Sequence, residues 1–401
     1  MQPRHFDTHG RVVSGPPSSI DKGFLFAVTG LIILGLLMVA SSSIVISERQ
    51  FYQPFHYLFH QVVYFGLGSL LVLFIVRTPT QIFKQVSGLL LLFSILLLVL
   101  VLIPGIGHVV NGSRRWFGIG FFRMQVSELT KLCVVIYLAS YLVRHGESFR
   151  TQAIGFIKPM LILGLVSILL LREPDFGAMV VLTLTALGMM FLAGMRVRYF
   201  TILLILIVCA FAVLAISSPY RLQRLTTFID PWSKQFDSGY QLTQSLIAFG
   251  RGGWLGVGLG ESVQKLFYLP EAHTDFLFAV LAEELGLVGV LAVIALFMLL
   301  VQRGLVIGRR ACQIGEFFSG YMAYGLSLWL GLQAMINVGV NSGVLPTKGL
   351  TLPLMSYGGS SILINCIVVA LLLRIDFETR SKLFGIGRGA RPIRQTSRSR
   401  Y

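Results

Sequence analysis

The sequence predicts an all-α polytopic membrane protein of about ten transmembrane helices, with a large extracytoplasmic loop between helices 7 and 8. Three observations lead there. Of 401 residues, 55% are hydrophobic and 12% charged, and mean hydropathy is +0.78, whereas soluble domains carry about 25% charged residues. Ten apolar runs each come near the roughly 20 residues that cross a bilayer. Nearly all of the net charge of +16 falls in segments that ten crossings would place on one face.

The runs lie at about 24 to 46, 57 to 76, 86 to 103, 126 to 143, 157 to 171, 176 to 194, 199 to 217, 276 to 300, 317 to 340 and 358 to 373. The first follows 22 polar residues and is too long for the apolar core of a cleaved signal peptide, which predicts an uncleaved anchor. The fourth carries Glu128 and Lys131 within S-E-L-T-K-L, and the fifth and tenth are the shortest. Arg172-Glu173-Pro174-Asp175 makes a charged turn between the fifth and sixth. The eighth opens at Asp275 and takes Glu283 and Glu284 inward. Residues 1–22 form a cytoplasmic segment, 23–375 one membrane domain and 376–401 a basic cytoplasmic tail, expected to lie along anionic lipid headgroups and not on nucleic acid. The cysteines Cys133, Cys209, Cys312 and Cys366 have no disulfide or metal spacing and read as core packing.

Basic residues set the orientation. Arg77 and Lys84, Arg144 to Lys158, Arg196 and Arg198, and Arg303 to Arg310 share a face with both termini, and the positive-inside rule makes that face cytoplasmic. Arg114, Arg115 and Arg123 fall on the opposite side, against the bias. Three outward segments are too rich to be mere connectors: Pro104 to Gln125, the large loop 218–274, and Asn341 to Gly358. The glycine stretch from Gly250 to Gly260 lacks P-loop and G-x-G-x-x-G spacing, so tight turns and close helix contact explain it better than phosphate binding.

Carboxylates at membrane depth cost free energy unless they face protein or a wet cavity. Asp275 has two compatible explanations: it or Thr274 caps the eighth helix, or it is a general base whose pKa is raised by its apolar neighbours. Glu128 and Lys131, spaced i and i+3, suit either a structural ion pair or an anion site. Arg172 and Asp175 suit a salt-bridged turn. His273 has no second histidine at helical spacing and no H-E-x-x-H pattern, and no G-x-S-x-G elbow is present.

L-P-E-A-H-T-D-F at 269 to 276, A-E-E-L-G at 282 to 286, N-G-S-R-R-W at 111 to 116, S-E-L-T-K-L at 127 to 132, E-P-D-F-G at 173 to 177 and L-P-T-K-G-L-T-L-P-L-M-S-Y-G-G-S-S at 345 to 361 together resemble the SEDS family (shape, elongation, division, sporulation). The resemblance covers about residues 20 to 375 and leans to the division branch. Two departures stand out: Val126 replaces a usual proline, and Glu173 stands where glutamine is common.

The resemblance implies a peptidoglycan glycosyltransferase that polymerises lipid II into β-1,4 glycan strands. It also implies a multi-pass protein of the bacterial cytoplasmic (inner) membrane at the division septum. The implied partners are a class B penicillin-binding protein transpeptidase and other division-complex membrane proteins. Asp275 sits at the family's essential aspartate and is the expected base. One base suffices because lipid II carries its own pyrophosphate leaving group. Charge for that group is expected from Lys131, Arg114, Arg115 or Arg123, or from a divalent cation such as Mg2+ or Mn2+, with Glu128 and His273 beside the substrate. Arg172, Asp175, Glu283, Glu284 and Lys348 are expected supports. Two alternatives stay open: a flippase using Glu128, Lys131, Glu283 and Glu284 as a path for the lipid-linked precursor, and a noncatalytic division scaffold.

Overall fold

The computed structural model describes residues 20–110, 113–119, 122–146, 154–217 and 219–383. Its long helices are α1 (Lys22–Phe51), α2 (His56–Arg77), α3 (Thr80–Leu102), α4 (Val126–Arg144), α5 (Ile154–Arg172), α6 (Phe176–Leu192), α7 (Val197–Ile216), α10 (Leu277–Gln313), α11 (Phe317–Asn341) and α12 (Gly359–Leu383). Among the described residues nine are long and apolar enough to cross a membrane, and α6, also apolar, has 17 residues. The last helix runs ten residues past the expected end at 373, because Arg374 and Arg380 pair with Glu378 and Asp376 one turn away. Most of the N-terminal segment and of the basic tail lies outside the described residues.

The first outward segment departs from the all-α expectation. Strands β1 (Gly107–Val110), β2 (Ser113–Ile119) and β3 (Phe122–Gln125) form an antiparallel meander. By sequence, Asn-Gly joins the first two, the dipeptide that two-residue hairpins favour. A search for 20-residue apolar runs passes over such short strands.

The core is built on α4, α11 and α12, which are buried along most of their length, while α7 turns apolar side chains such as Ile205, Leu206 and Val213 outward. Such a surface suits acyl chains better than water. Cys133 and Cys366 are buried as expected; Cys209 on α7 is exposed, so packing does not account for it.

The segment between α7 and α10 folds into α8 (Pro219–Ile229), α9 (Tyr240–Gly252) and shorter turns. Its glycine stretch repairs a break in α10. At Gly286 the backbone leaves helical geometry, with φ 65° and ψ −163°. The amides of Val257 and Gly258 donate to the carbonyls of Glu283 and Glu284, and those of Leu287 and Val288 donate to Gly253 and Trp254. A side chain at Gly256 would collide with the Glu284 carbonyl, which explains the glycine. These amides are committed to the protein and are not open to a phosphate.

The acids at the break are answered locally. The Glu283 carboxylate accepts from Ser262 Oγ and from the amides of Val263 and Gln264, with Arg251 at 3.4 Å. Lys265 Nζ lies 2.8 Å from Glu284, which also accepts from Ser41 Oγ at 2.6 Å. Both carboxylates are thus held by protein groups around the break. The nine residues from Leu277 to Leu285 thereby become a short, anchored half-helix with Asp275 at its mouth.

Candidate active site

Asp275 stands just before the first turn of α10 and does not cap it. The cap position is Phe276, with no side-chain hydrogen bond. The Ala279 amide, which also bonds the Phe276 carbonyl at 3.1 Å, donates to Asn341 Oδ1 at 3.2 Å. A neighbouring helix therefore does the capping, and the carboxylate is left without a hydrogen-bond donor among the described residues.

Its backbone, in contrast, is clamped. Asn337 and Asn341, one turn apart on α11, both donate Nδ2 to the Asp275 carbonyl, at 2.9 and 3.0 Å. Asn337 Nδ2 also donates to the Leu350 carbonyl at 2.6 Å. That bond fastens residues 345–358, an irregular segment buried at Leu350 and over 352–356, whose polar backbone is further met by Gln333 at Thr351 and by Ser356 at Leu352. Such backbone survives at membrane depth only when protein groups satisfy it. Gly349 in this segment lies against the acid: a Cβ there would sit 2.8 Å from Asp275 Oδ2.

The carboxylate looks into a cavity of about 730 Å³ lined by Arg115, Arg224, Lys348, Asp175 and Glu271, among others. Its surface is half-buried, since the cavity reaches one side of it. Burial pushes the Asp275 carboxyl up to about 7; the Glu271 and Asp175 carboxylates add to the rise and Arg115 opposes it. Burial without a hydrogen-bond donor thus raises the proton affinity of this acid toward neutrality.

Each wall residue has a structural cause. Asp175 caps α6 by accepting from the Ala178 amide at 3.1 Å, and its other oxygen accepts from Ser127 Oγ at 2.8 Å and Gln125 Nε2 at 3.1 Å. It therefore ties the starts of α4 and α6 together. Arg115 reaches it from β2 at 3.9 Å and donates to Ser113 Oγ at 2.9 Å. Arg224 on α8 donates to the Thr347 carbonyl at 3.1 Å, and Lys348 Nζ lies 4.4 Å over the Phe176 ring.

Of the residues expected beside a substrate, the structure brings Arg115 to the cavity with Asp275. Arg114, on the other face of the same strand, turns toward α3 and donates to the Leu102 carbonyl at 3.2 Å. The Arg123 side chain lies outside the described residues. Lys131 is buried, bonded to Glu128 at 2.9 Å and Gln333 at 2.7 Å, with Nζ 4.9 Å from the Trp329 ring. These partners make Lys131 and Glu128 an interior ion pair off the cavity wall, made through Glu128 Oε1 while Oε2 is buried without a hydrogen-bond partner. His273 also stands off the wall, 4.5 Å from the Tyr57 ring, and burial holds its imidazole below the ordinary value and so neutral. Arg172 is exposed. Lys348, expected as a support, lines the cavity.

Sequence reasoning missed Arg224, Glu271, Asn337 and Asn341. Arg224 carried a usable signal, since it is another basic residue on the outward side against the charge bias. The asparagines carried none, because their partner is a backbone carbonyl more than 60 residues away in the chain. No three His, Cys, Asp or Glu side chains converge on a metal-binding arrangement among the described residues. The cavity's carboxylates are interspersed with three cations, which does not fit a protein-held metal.

Residues 22–381 match the profile of the cell cycle protein family of FtsW, RodA and SpoVE. A Legionella pneumophila protein named probable peptidoglycan glycosyltransferase FtsW is 59% identical over 96% of this chain and 98% of its own. One of the same name from Coxiella burnetii is 57% identical over 90% and 98%. Among solved structures, Thermus thermophilus rod shape determining protein RodA aligns with a TM-score of 0.65 at 28% identity, covering 90% of this chain and 97% of its own. A chain from a structure described as "Structural coordination of polymerization and crosslinking by a peptidoglycan synthase complex" aligns with a TM-score of 0.76 at 28% identity, covering 90% and 99%.

Proposed function

This chain belongs to the FtsW, RodA and SpoVE family of cell cycle proteins, and from that premise we propose that it is a peptidoglycan glycosyltransferase polymerising lipid II, with Asp275 as general base. The observation that carries the assignment of the base is a donor-free carboxyl, raised to about 7, that faces a cavity with three cations on its wall. A base is most effective when its pKa is close to the working pH.

The Asp275 carboxylate takes the proton from an acceptor sugar hydroxyl as that oxygen attacks the anomeric carbon of a second, lipid-linked sugar. The bond from that carbon to the diphosphate oxygen breaks, and the electron pair leaves with the undecaprenyl diphosphate. Arg115, Arg224 and Lys348 stand where charge would develop on this group, and fixed cations in a site of restricted water are worth more than in bulk solvent. A single displacement inverts the anomeric carbon, converting an α-linked donor to a β-1,4 product. The clamped Asp275 backbone holds the base in place during the transfer.

The protein works in the bacterial cytoplasmic membrane with both termini inside and the cavity on the outer face, at the division septum. Its partner there is a class B penicillin-binding protein that crosslinks the new strand, a reading supported by the likeness to a chain of a peptidoglycan synthase complex. The charges that a flippase path would need argue against that alternative. Lys131 is closed on Glu128, Lys265 on Glu284, and Glu283 on backbone amides.

The test is polymerisation of labelled lipid II by the purified protein in complex with its transpeptidase. Asp275→Asn, checked for folding and complex formation, is expected to abolish glycan chains. Undiminished polymer from that variant would remove Asp275 as the base, and lipid movement in vesicles without polymer from the wild type would favour transport.

A further inference from the structure

Two acids, two residues apart, meet opposite surroundings at the turn between α5 and α6. Asp175 collects the donors of the region: the Ala178 amide, Ser127 Oγ, Gln125 Nε2 and, more distantly, Arg115. Glu173 receives none. Its side chain is 0% exposed, and both carboxyl oxygens are buried without a hydrogen-bond partner. Native proteins leave few buried polar atoms unpaired, and each one asks for an explanation.

The chain path accounts for the placement. The Glu173 amide turns back to the Leu169 and Leu170 carbonyls, closing α5, and the Asp175 amide also bonds Leu170. This tight reversal seals the Glu173 side chain inside. An ionised carboxyl without donors is costly in such a place, so the group keeps its proton. Burial pushes Glu173 up to about 9, the Asp175 carboxylate raising it further and Arg115 lowering it.

The charged groups that face Glu173 are Arg115 from β2 and Asp175 from the start of α6. From α4 and its cap, Ser127 and Gln125 are neutral; Lys348, from 345–358, stands beyond them over Phe176; Arg172 is exposed. Arg115 and Asp175 both line the cavity. Around that cavity three cations, Arg115, Arg224 and Lys348, balance three acids, Asp175, Glu271 and Asp275. A charge on Glu173 would add a fourth anion two residues from Asp175, the carboxylate that Arg115 approaches to 3.9 Å.

We propose that Glu173 is a positioning residue for the diphosphate group: a neutral acid beside the Asp175–Arg115 pair that adds no further anion to compete for the guanidinium, and whose ionisation weakens Arg115's hold on the anionic substrate. The inference rests on the assignment of the cavity to a lipid-linked diphosphate. It gives the site an alkaline limit set by a residue that need not touch the substrate.

The test compares the transpeptidase-bound wild type with Glu173→Gln, which keeps the shape of a neutral acid but cannot ionise. KM for lipid II is expected to rise about tenfold in the wild type as pH passes through about 9, the equivalent of one pKa unit, while the Gln variant stays flat and matches the wild type at neutral pH. The same alkaline rise in both proteins, or loss of neutral-pH activity in the folded Gln variant, would overturn the proposal.

Two further measurements do not need turnover. Binding of inorganic pyrophosphate, followed by calorimetry over the same pH range, should weaken more in the wild type than in Glu173→Gln. Infrared difference spectra should show a protonated carboxyl at neutral pH in the wild type that is missing from Glu173→Gln, or from Glu173→Met if the first variant does not fold. Absence of that band refutes a neutral Glu173 even where polymerisation proceeds. Its presence together with pH-independent pyrophosphate binding refutes the link to the diphosphate. Failure of the wild type to polymerise lipid II, with both signals present, would instead count against the assigned reaction.

Discussion

Replacing Asn337 with Leu keeps the branching and number of side-chain heavy atoms but removes the amide that joins the Asp275 backbone to the 345–358 segment. Nδ2 of Asn337 serves two carbonyls, Asp275 at 2.9 Å and Leu350 at 2.6 Å. The Asp275 carbonyl retains Asn341, so its loss is one ordinary hydrogen bond, about 1 kcal/mol; a Leu350 carbonyl stripped of this donor costs roughly 1–3 kcal/mol more. Stability should therefore fall by about 2–4 kcal/mol. The larger effect is on position. With one tether in place of two, the carboxylate shifts relative to the acceptor hydroxyl, and a displacement of about 1 Å reduces turnover by up to ~100-fold. The assay is lipid II polymerisation by the intact complex, with kcat and KM separated and thermal unfolding measured in parallel. The expected result is a large fall in kcat with KM little changed. A folded Asn337→Leu complex with kcat within about twofold of wild type would refute a positioning role for the clamp, since a misplaced base affects kcat far more than that.

Three further outcomes follow from the same geometry. Because Asp275 acts in its ionised form and burial raises its carboxyl to about 7, kcat/KM should fall with unit slope as pH drops through about 7; half-activity near the usual carboxylate range would show that the site does not raise the carboxyl of its base. Gly349→Ala would place a Cβ 2.8 Å from Asp275 Oδ2. Overpacking of about 1–3 kcal/mol concentrated at the base should lower kcat at least tenfold while the protein stays folded, and unchanged activity would mean that the carboxylate has room to move. Lys131→Met leaves Glu128 buried without its cation, so Tm should fall by the equivalent of about 3–5 kcal/mol. If the folded fraction of that variant instead loses lipid II binding, Lys131 has a role at the substrate that its place off the cavity wall does not explain.

The site was partly legible in the sequence because some of its constraints are local. Asp275, Glu283 and Glu284 could be singled out because a carboxylate near an apolar run is costly wherever the chain goes. The turn at 172–175 was signalled by proline and charge, whereas the break at Gly286 fell inside a run read as one continuous span from 276 to 300. Arg114 and Arg115 were flagged together as exceptions to the charge bias, yet consecutive residues of a strand point to opposite faces. One reached the cavity and the other turned to α3, a division that depends on the β-meander the apolar runs did not disclose. Capping of α10 was misplaced for a related reason: Asp275 has a suitable oxygen at a suitable position, but Asn341 on another helix took the amide.

Sequence alone determined the membrane class, the approximate spans and the candidate base, since hydropathy, charge bias and motif spacing are properties of the chain read in order. Tertiary structure decided which cations share a cavity with Asp275, which acids are saturated and which, like Glu173, are stranded. The physical reason is that a carboxyl's proton affinity and a cation's usefulness depend on burial and on donors within hydrogen-bond reach. In this protein those donors come from helices and turns separated by tens to hundreds of residues, and only packing brings them together.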